Sequence, residues 1–259
     1  KKILSITPIS HIKNVENELK KSGKLKILKD PSAIEVKRKV HKFDAIFTNP
    51  NKSKVFIGKS IIDSATNLKV ISTASTGTNH IDLDYAKKKK IKIISLKKEK
   101  KIINKISSTA EHALALTLAS LRNVTNSSKS VLKGEWDYTK FIGRQMDHLT
   151  IGIIGYGRLG KKYAKYCKIF GSKVIFFDPF KKSSSKKIKK ISYIKKLLKV
   201  SDIISIHVHL NKKTHHMFNK SFFSKIKKNV IIINTARGDV IDENTLINFL
   251  KKNKKAKFA

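Results

Sequence analysis

A parallel α/β fold in two successive parts is predicted from three features of the sequence. Apolar runs of strand length alternate with amphipathic stretches of helix length along the 259 residues, as in βαβ layering. The alternation restarts near Thr150. At the restart, three closely spaced glycines separate an apolar run from a helical one, a join typical of parallel sheets.

In the first part, residues 3–6, 26–28, 45–48, 70–73 and 92–95 read as strands. Residues 11–22, 60–65 and 83–89 read as the helices or turns between them. Residues 108–122 follow as a helix. Thr109 is placed to cap it and Glu111 suits its first turn, while Ala113, Leu114, Leu116, Leu118 and Leu121 supply apolar surface.

The second part opens with a strand at 150–154, a helix at 159–170 stopped by Gly171, and a strand at 173–178. A polar Lys/Ser stretch at 181–190 precedes a helix at 191–198. Strands at 202–208 and 230–235 flank a Phe-containing helix near 220–225. Residues 243–251 form a last helix, and 256–259 read as the opening of another strand.

Composition narrows the functional classes. Hydrophobic residues make up 40% of the chain, enough for a core and too many for a disordered polycation. No apolar run reaches the roughly 18 residues of a membrane span, and the N-terminal apolar stretch is too short for a signal peptide. The single cysteine, Cys167, excludes an internal disulfide framework and a Cys-based zinc site. A soluble, cytoplasmic, globular protein without a metal centre is therefore expected.

Charge raises a nucleic-acid reading: 58 Lys+Arg against 18 Asp+Glu give +40, and cations drive non-specific phosphate binding. The kind of base argues against it. Only five of these cations are arginines, and guanidinium is the better group for bidentate phosphate and base contacts. Lys, Ile and Asn also share A/T-rich codons, so genome composition accounts for a lysine-rich solvated surface.

The sharpest local signal is Gly155-Tyr156-Gly157-Arg158-Leu159-Gly160, a G-x-G-x-x-G run between strand and helix. Gly155 permits the tight turn, Gly157 lets backbone approach a pyrophosphate, and Gly160 allows close helix–sheet packing. The helix N-terminus offers N–H groups to the phosphates. Asp178 ends the next strand, 18 residues beyond Gly160, where a carboxylate accepts from adenosine ribose hydroxyls and repels a 2′-phosphate. This favours NAD. Lys181 and Lys182 follow closely and leave NADP as the alternative.

With these residues placed, the chain resembles the NAD-dependent D-isomer-specific 2-hydroxyacid dehydrogenases, including those acting on phosphoglycerate. The likeness covers nearly the whole length and is carried by four segments: 68–82, the Ser108–Leu116 run STAEHALAL, the glycine turn with Asp178, and the 234–242 run NTARGDVID. The 201–214 segment resembles the family's cofactor-side strand and loop. There His209 replaces the family's usual proline, so a looser loop is expected.

The resemblance implies two Rossmann-like lobes with the active site between them. The first would be a flavodoxin-like substrate lobe (1–103), and the second an NAD-binding doubly wound parallel sheet (104–259). It places the substrate carboxylate on backbone N–H groups of Ser75, Thr76 and Gly77. Thr109, Thr235 and Ala236 would lie at the nicotinamide, with His207, Val208 and Thr214 also on the cofactor side. Arg237 would hold the substrate and touch the cofactor. A planar, permanently charged fork at the carboxyl end of a buried strand suits a 2-oxo acid and polarises its carbonyl. The resemblance also implies a homodimer formed through the cofactor lobe, with Glu135-Trp136-Asp137-Tyr138 as a candidate contact.

One part of the family pattern is missing. Reduction of a 2-oxo acid needs a proton donor, and the family's histidine and its orienting carboxylate lie well beyond the arginine. His216 is the last histidine here. The chain is expected to be a fragment, C-terminally truncated and inactive alone, with NAD, a small 2-hydroxy or 2-oxo acid and a second copy as partners. Two alternatives use the same scaffold or charge: an NAD-sensing corepressor that binds peptides, and a basic nucleic-acid binder.

Overall fold

The computed structural model describes residues 1–50, 52–181 and 188–259. Its packing divides the chain into two units, Lys1–Lys105 and Ile106–Ala259. Most of the polar stretch at 181–190, Lys182 included, lies outside the described residues.

The first unit runs β1 (Lys2–Ser5), α1 (Val15–Ser22), β2 (Lys24–Ile27), α2 (Ala33–Lys39), β3 (Ala45–Thr48), α3 (Lys59–Ser64), β4 (Val70–Thr73), α4 (Leu83–Lys88), β5 (Lys92–Ser95) and α5 (Lys100–Lys105). Its strands pair in the order β2-β1-β3-β4-β5, all parallel. This is the flavodoxin-like doubly wound order. Leu4, Ile46 and Ile71 from the sheet, with Val36 and Ile61 from the helices, anchor its core.

Two expectations change in this unit. Helix α1 begins at Val15, not at residue 11, because Asn14 before it is left-handed at φ 67°. Helix α2 was not anticipated, although its cap is written in the sequence. The Ser32 hydroxyl accepts from the Glu35 N–H at 3.1 Å, half of a capping box. Only Val36 of that helix is buried, too little apolar pattern to show its period.

The second unit runs α6 (Ser108–Leu121), α7 (Val124–Val131), β6 (Thr150–Ile154), α8 (Arg158–Ile169), β7 (Lys173–Phe177), β8 (Lys189–Lys190), α9 (Ile194–Val200), β9 (Ile203–Ile206), α10 (Lys220–Phe223), β10 (Ile231–Asn234), α11 (Glu243–Lys252) and β11 (Lys257–Phe258). The six strands are parallel in the order β11-β10-β9-β6-β7-β8. Counted within the unit this is the Rossmann order, reversing direction between β6 and β9. Within the expected 256–259 stretch, Lys257–Phe258 form β11, paired with β10 through Ile231 and Ile232.

Strand residues of period two divide between the faces. Ile151, Ile153, Ile203, Ile231 and Ile233 pack with α6 and α8. Ile154, Ile204, Ile206 and Ile232 pack with α9, α10 and α11. A sheet covered on both faces needs such unbroken apolar strands. Helix α9 starts at Ile194, not residue 191, because β8 extends the sheet and the Ile191 N–H still donates to Phe176 O at 2.8 Å. Thr109 is not the cap of α6. Ser107 holds that position, and its hydroxyl donates to Glu111 instead of capping a backbone N–H.

Candidate functional site

The crevice of the second unit opens where strand order reverses, at the carboxyl ends of β6 and β9. This is where open α/β sheets bind ligands. Gly155 leaves β6 in the left-handed region, at φ +91°. A Cβ there would stand 2.5 Å from His207 O, so only glycine fits this junction. Gly160 lies in the first turn of α8, where a Cβ would come within 2.2 Å of Gly155 O.

Gly157 differs from both. Its φ is −80° and a Cβ would meet nothing within 4 Å. No neighbour in the fold requires glycine there, and open space lies over the N-terminus of α8, where first-turn N–H groups face outward. A pyrophosphate drawn close to the backbone fits that space.

The side chains of the turn are committed to the fold. Tyr156 stacks on Phe176 with ring centroids 3.9 Å apart. Leu159 packs into the core under α6 and α8. The Arg158 guanidinium donates to Ile106 O, which ties the start of α8 to the segment leading into α6. Asp178 is buried at the end of β7. Its Oδ2 accepts from the Tyr156 N–H and its Oδ1 from the Phe180 N–H, both at 2.9 Å. These bonds fix the carboxylate against the glycine turn, and each oxygen keeps a second lone pair for a hydroxyl.

His207 follows β9 directly. Its N–H continues the ladder to Ile154 O at 2.8 Å, and its Nε2 lies 2.9 Å from Ser205 Oγ. The ring tilts against Tyr163, with centroids 5.3 Å apart. Burial lowers its pKa to about 4, so the imidazole is neutral at physiological pH. Val208 packs toward the α9–α11 face. Thr214 closes the following loop by donating to His209 O at 2.6 Å and accepting from the Asn211 N–H at 2.9 Å. The loop that carries histidine in place of proline is thus tied by side-chain bonds.

A cleft of about 380 Å³ lies at the carboxyl end of β10, lined by Ser108, Thr109, His112, Leu116, Asn234 and Thr235. The Thr235 Oγ1 within it is buried and has no hydrogen-bond partner among the described residues. An orphaned hydroxyl in a polar cleft fits a cofactor amide or hydroxyl. Asn234 closes the loop that follows: its Oδ1 accepts from the Ala236 N–H and its Nδ2 donates to Arg237 O, both at 3.0 Å. Arg237 is half-buried and gives one Nη1 hydrogen to Ala236 O at 2.7 Å, leaving the rest of its donors for a ligand.

Four cleft residues, Ser108, His112, Leu116 and Asn234, were not anticipated as site residues. The helical three could have been found from Thr109, because 108, 112 and 116 share one helix face with it.

In the first unit, Ser75 and Thr76 lie in the bend after β4, and Gly77 follows it. Ser75 Oγ donates to Gly77 O at 2.6 Å and lies 2.9 Å from Thr73 Oγ1, which also meets His80 Nε2 at 3.0 Å. The three backbone N–H groups donate to no other described residue. Amides left without a protein partner in such a turn suit a carboxylate.

Comparison with known proteins agrees with this geometry. Residues 4–135 match the catalytic domain of the D-isomer specific 2-hydroxyacid dehydrogenase family, and residues 114–259 match its NAD binding domain. The D-3-phosphoglycerate dehydrogenase of Archaeoglobus fulgidus is 34% identical over 98% of this chain and 47% of its own length. The glyoxylate reductase of Thermococcus litoralis is 33% identical over 95% of this chain and 74% of its own. Thus the chain spans about half the length of the phosphoglycerate dehydrogenases it matches. The crystal structure of D-lactate dehydrogenase from Aquifex aeolicus, complexed with NAD and lactic acid, has a TM-score of 0.87 and 31% identity over all of this chain and 76% of its own. By fold, glycine turn and sequence, this chain belongs to the D-isomer-specific 2-hydroxyacid dehydrogenase family, and the cofactor of its second unit is NAD.

Proposed function

We propose that the chain carries the cofactor- and substrate-holding groups of an oxidoreductase that interconverts a D-2-hydroxy acid and a 2-oxo acid. The observation that carries this reading is the crevice between β6 and β9, with Gly157 open to a ligand and Asp178 fixed beside it. NAD, when bound, supplies or takes the hydride. The residues of the chain hold and orient. Backbone at Gly155, Gly157 and Gly160 admits the pyrophosphate, and Asp178 accepts from the adenosine ribose. Thr109, Thr235 and Ala236 border the nicotinamide, with His207, Val208 and Thr214 also on the cofactor side. The N–H groups of Ser75, Thr76 and Gly77 and the guanidinium of Arg237 each offer donors to the acid. Arg237 also draws electron density from the carbonyl that receives hydride.

The proton donor is the missing part. No histidine follows His216 in the 259 residues, and none occupies the position that the family resemblance gives to the acid/base. We infer that turnover needs a donor outside these residues. The exposed Leu132, Trp136, Tyr138 and Ile142 support a homodimer contact on the second unit. The free, buried thiol of Cys167 is in keeping with a reducing, cytoplasmic setting. Among the described residues, no helix is long and apolar enough to cross a membrane.

The test is nucleotide binding followed by a turnover assay. NADH is expected to bind at least about 10-fold more tightly than NADPH, roughly the effect of one unfavourable charge contact at the 2′-phosphate, and Asp178→Ala should abolish the preference. No NADH oxidation is expected from the 259 residues with pyruvate, glyoxylate or hydroxypyruvate. Equal binding of the two nucleotides would overturn the role of Asp178. Clear turnover would overturn the external proton donor.

A further inference from the structure

The loop after β4 is tied down by side chains to which the proposed chemistry gives no part. Backbone bonds secure its two ends. The Ala74 N–H donates to Thr48 O and the Leu96 N–H to Ser75 O, both at 3.0 Å, and the Ile57 N–H donates to His80 O at 2.9 Å. Between these ends runs a series of side-chain bonds. Ser75 Oγ donates to Gly77 O at 2.6 Å, Thr73 Oγ1 lies 2.9 Å from Ser75 Oγ, and His80 Nε2 lies 3.0 Å from Thr73 Oγ1. Thr73 and His80 are buried and Ser75 is half-buried.

The direction of each bond follows from the carbonyl end. Gly77 O can only accept, so it takes the Ser75 hydrogen. The Ser75–Thr73 contact then needs the hydrogen of Thr73, and the Thr73–His80 contact needs one on Nε2. A bare Nε2 would draw the Thr73 hydrogen to itself and leave the two hydroxyl oxygens facing each other without one. A buried polar contact without its hydrogen costs more than an average bond contributes. His80 is therefore the donor at the head of the series. An imidazolium meets the same count, because it too carries a hydrogen on Nε2. Thr48 does not enter it. That residue is the register partner of Thr73 on β3, and its buried hydroxyl has no hydrogen-bond partner among the described residues.

The bond to Gly77 O matters to a ligand. In a trans peptide unit C=O and N–H point in opposite directions, so a fixed Gly77 carbonyl also fixes the Thr78 N–H. A carbonyl that swung toward an arriving carboxylate would repel it; held on Ser75, it cannot. We infer that Thr73 and His80 are positioning residues that act through Ser75, holding the 75–77 loop in the shape that receives a substrate carboxylate. This rests on the reading above that the loop takes the acid, whereas the bonds themselves exist without a ligand.

The test titrates the 259-residue chain with oxamate, an unreactive 2-oxo acid analogue, in the presence of NADH, and follows the amide resonances of Thr76 and Gly77. Oxamate is expected to move both in wild type. Thr73→Val, nearly isosteric, removes the hydroxyl that supports Ser75 and should weaken oxamate about 2- to 10-fold, the loss of one neutral hydrogen bond. His80→Met removes the donor by a second route and should have an effect in the same range. Thr73→Ser keeps the hydroxyl and should keep the affinity. NADH affinity should stay within about 2-fold in all three. Ser75→Ala separates positioning from general loosening: because Thr73 acts through Ser75, adding Thr73→Val to Ser75→Ala should weaken oxamate no further. Wild-type oxamate affinity in both Thr73→Val and His80→Met would overturn the inference, as would fully additive losses in the double variant. A wild-type His80 protonated at Nδ1 alone, in long-range 1H–15N spectra, would also overturn it. Oxamate that does not bind, or binds without moving Thr76 or Gly77, would instead overturn the reading that the loop takes the acid. The hold on Gly77 O is then still read from the Thr78 amide resonance of the unliganded protein, which Thr73→Val should shift and Thr73→Ser should not.

Discussion

The two faces of the second sheet are built from different chemistry. Under α9, α10 and α11 the core is aliphatic and aromatic: Phe218 meets Phe222 with centroids 4.2 Å apart, and Phe223 lies 5.2 Å from Phe249. Under α6 and α8, apolar packing surrounds Thr117, Tyr163, Cys167 and Ser205. Burial raises the Tyr163 hydroxyl well above its ordinary pKa and takes the Cys167 thiol up to about 12. Both stay protonated and act only as hydrogen-bonding groups. One face stabilises the sheet by burial alone, whereas the other accepts the cost of buried polar groups and ends at the crevice. Substitutions on the first should change stability with little effect on ligand binding, and those on the second should change both.

The largest expected effect is on the apolar face. Phe218 is fully buried and packs edge-on to Phe222. Phe218→Ala should lower unfolding free energy by about 3–5 kcal/mol, the usual cost of a large core cavity. Urea unfolding would measure it, and NADH affinity of the folded fraction should stay within about 2-fold, as expected for a site outside the ligand's contact range. A large loss of affinity with normal stability would break the division between the faces.

Next comes acid sensitivity on the polar face. The His207 pKa is about 4 in the fold against an ordinary 6.5. Between those values the unfolded chain binds a proton that the fold excludes, so stability is full above about pH 6.5 and falls as pH drops toward 4. With the ring half-buried, the loss should be on the order of 2–3 kcal/mol. His207→Gln brings an amide to the Nε2 position that faces Ser205 without a titrating group, so it should flatten this limb of urea midpoint against pH. The same slope in wild type and variant would assign the acid sensitivity elsewhere.

These contrasts were unequally legible in the sequence. The glycine turn was readable because its spacing between an apolar run and a helical one is distinctive, and close backbone demands glycine at Gly155 and Gly160 while Gly157 faces open space. Arg237 was readable because a rare guanidinium follows an unbroken apolar strand. The buried hydrogen bond between Thr117 and Tyr163 was not readable. Thr117 and Tyr163 stand 46 residues apart, each inside an apolar helical pattern, and only the packing of α6 on α8 brings them together. Strand β8 consists of two lysines, so no apolar alternation marked it. The cap of α6 fell among Ser107, Ser108 and Thr109, three competent residues in a row, where pattern cannot select one.

The smallest expected stability change, at Gly157, is the most discriminating when set against Gly160 on the same turn. A methyl at Gly160 would stand 2.2 Å from Gly155 O, and at Gly157 it would meet nothing within 4 Å. Gly157 also has a φ of −80°, which alanine adopts freely. Gly160→Ala should therefore cost about 1–3 kcal/mol by overpacking, and Gly157→Ala should stay within about 0.5 kcal/mol of wild type. Nucleotide affinity should respond in the opposite sense. The Gly157 methyl would fill the space assigned to the pyrophosphate, so NADH binding should fall at least about 10-fold, equivalent to roughly 1.4 kcal/mol. Gly157→Ala with wild-type stability and wild-type NADH affinity would mean that the open space over α8 is not where the phosphates sit. The ligand would then have to be sought at the other end of the crevice, beside Thr235.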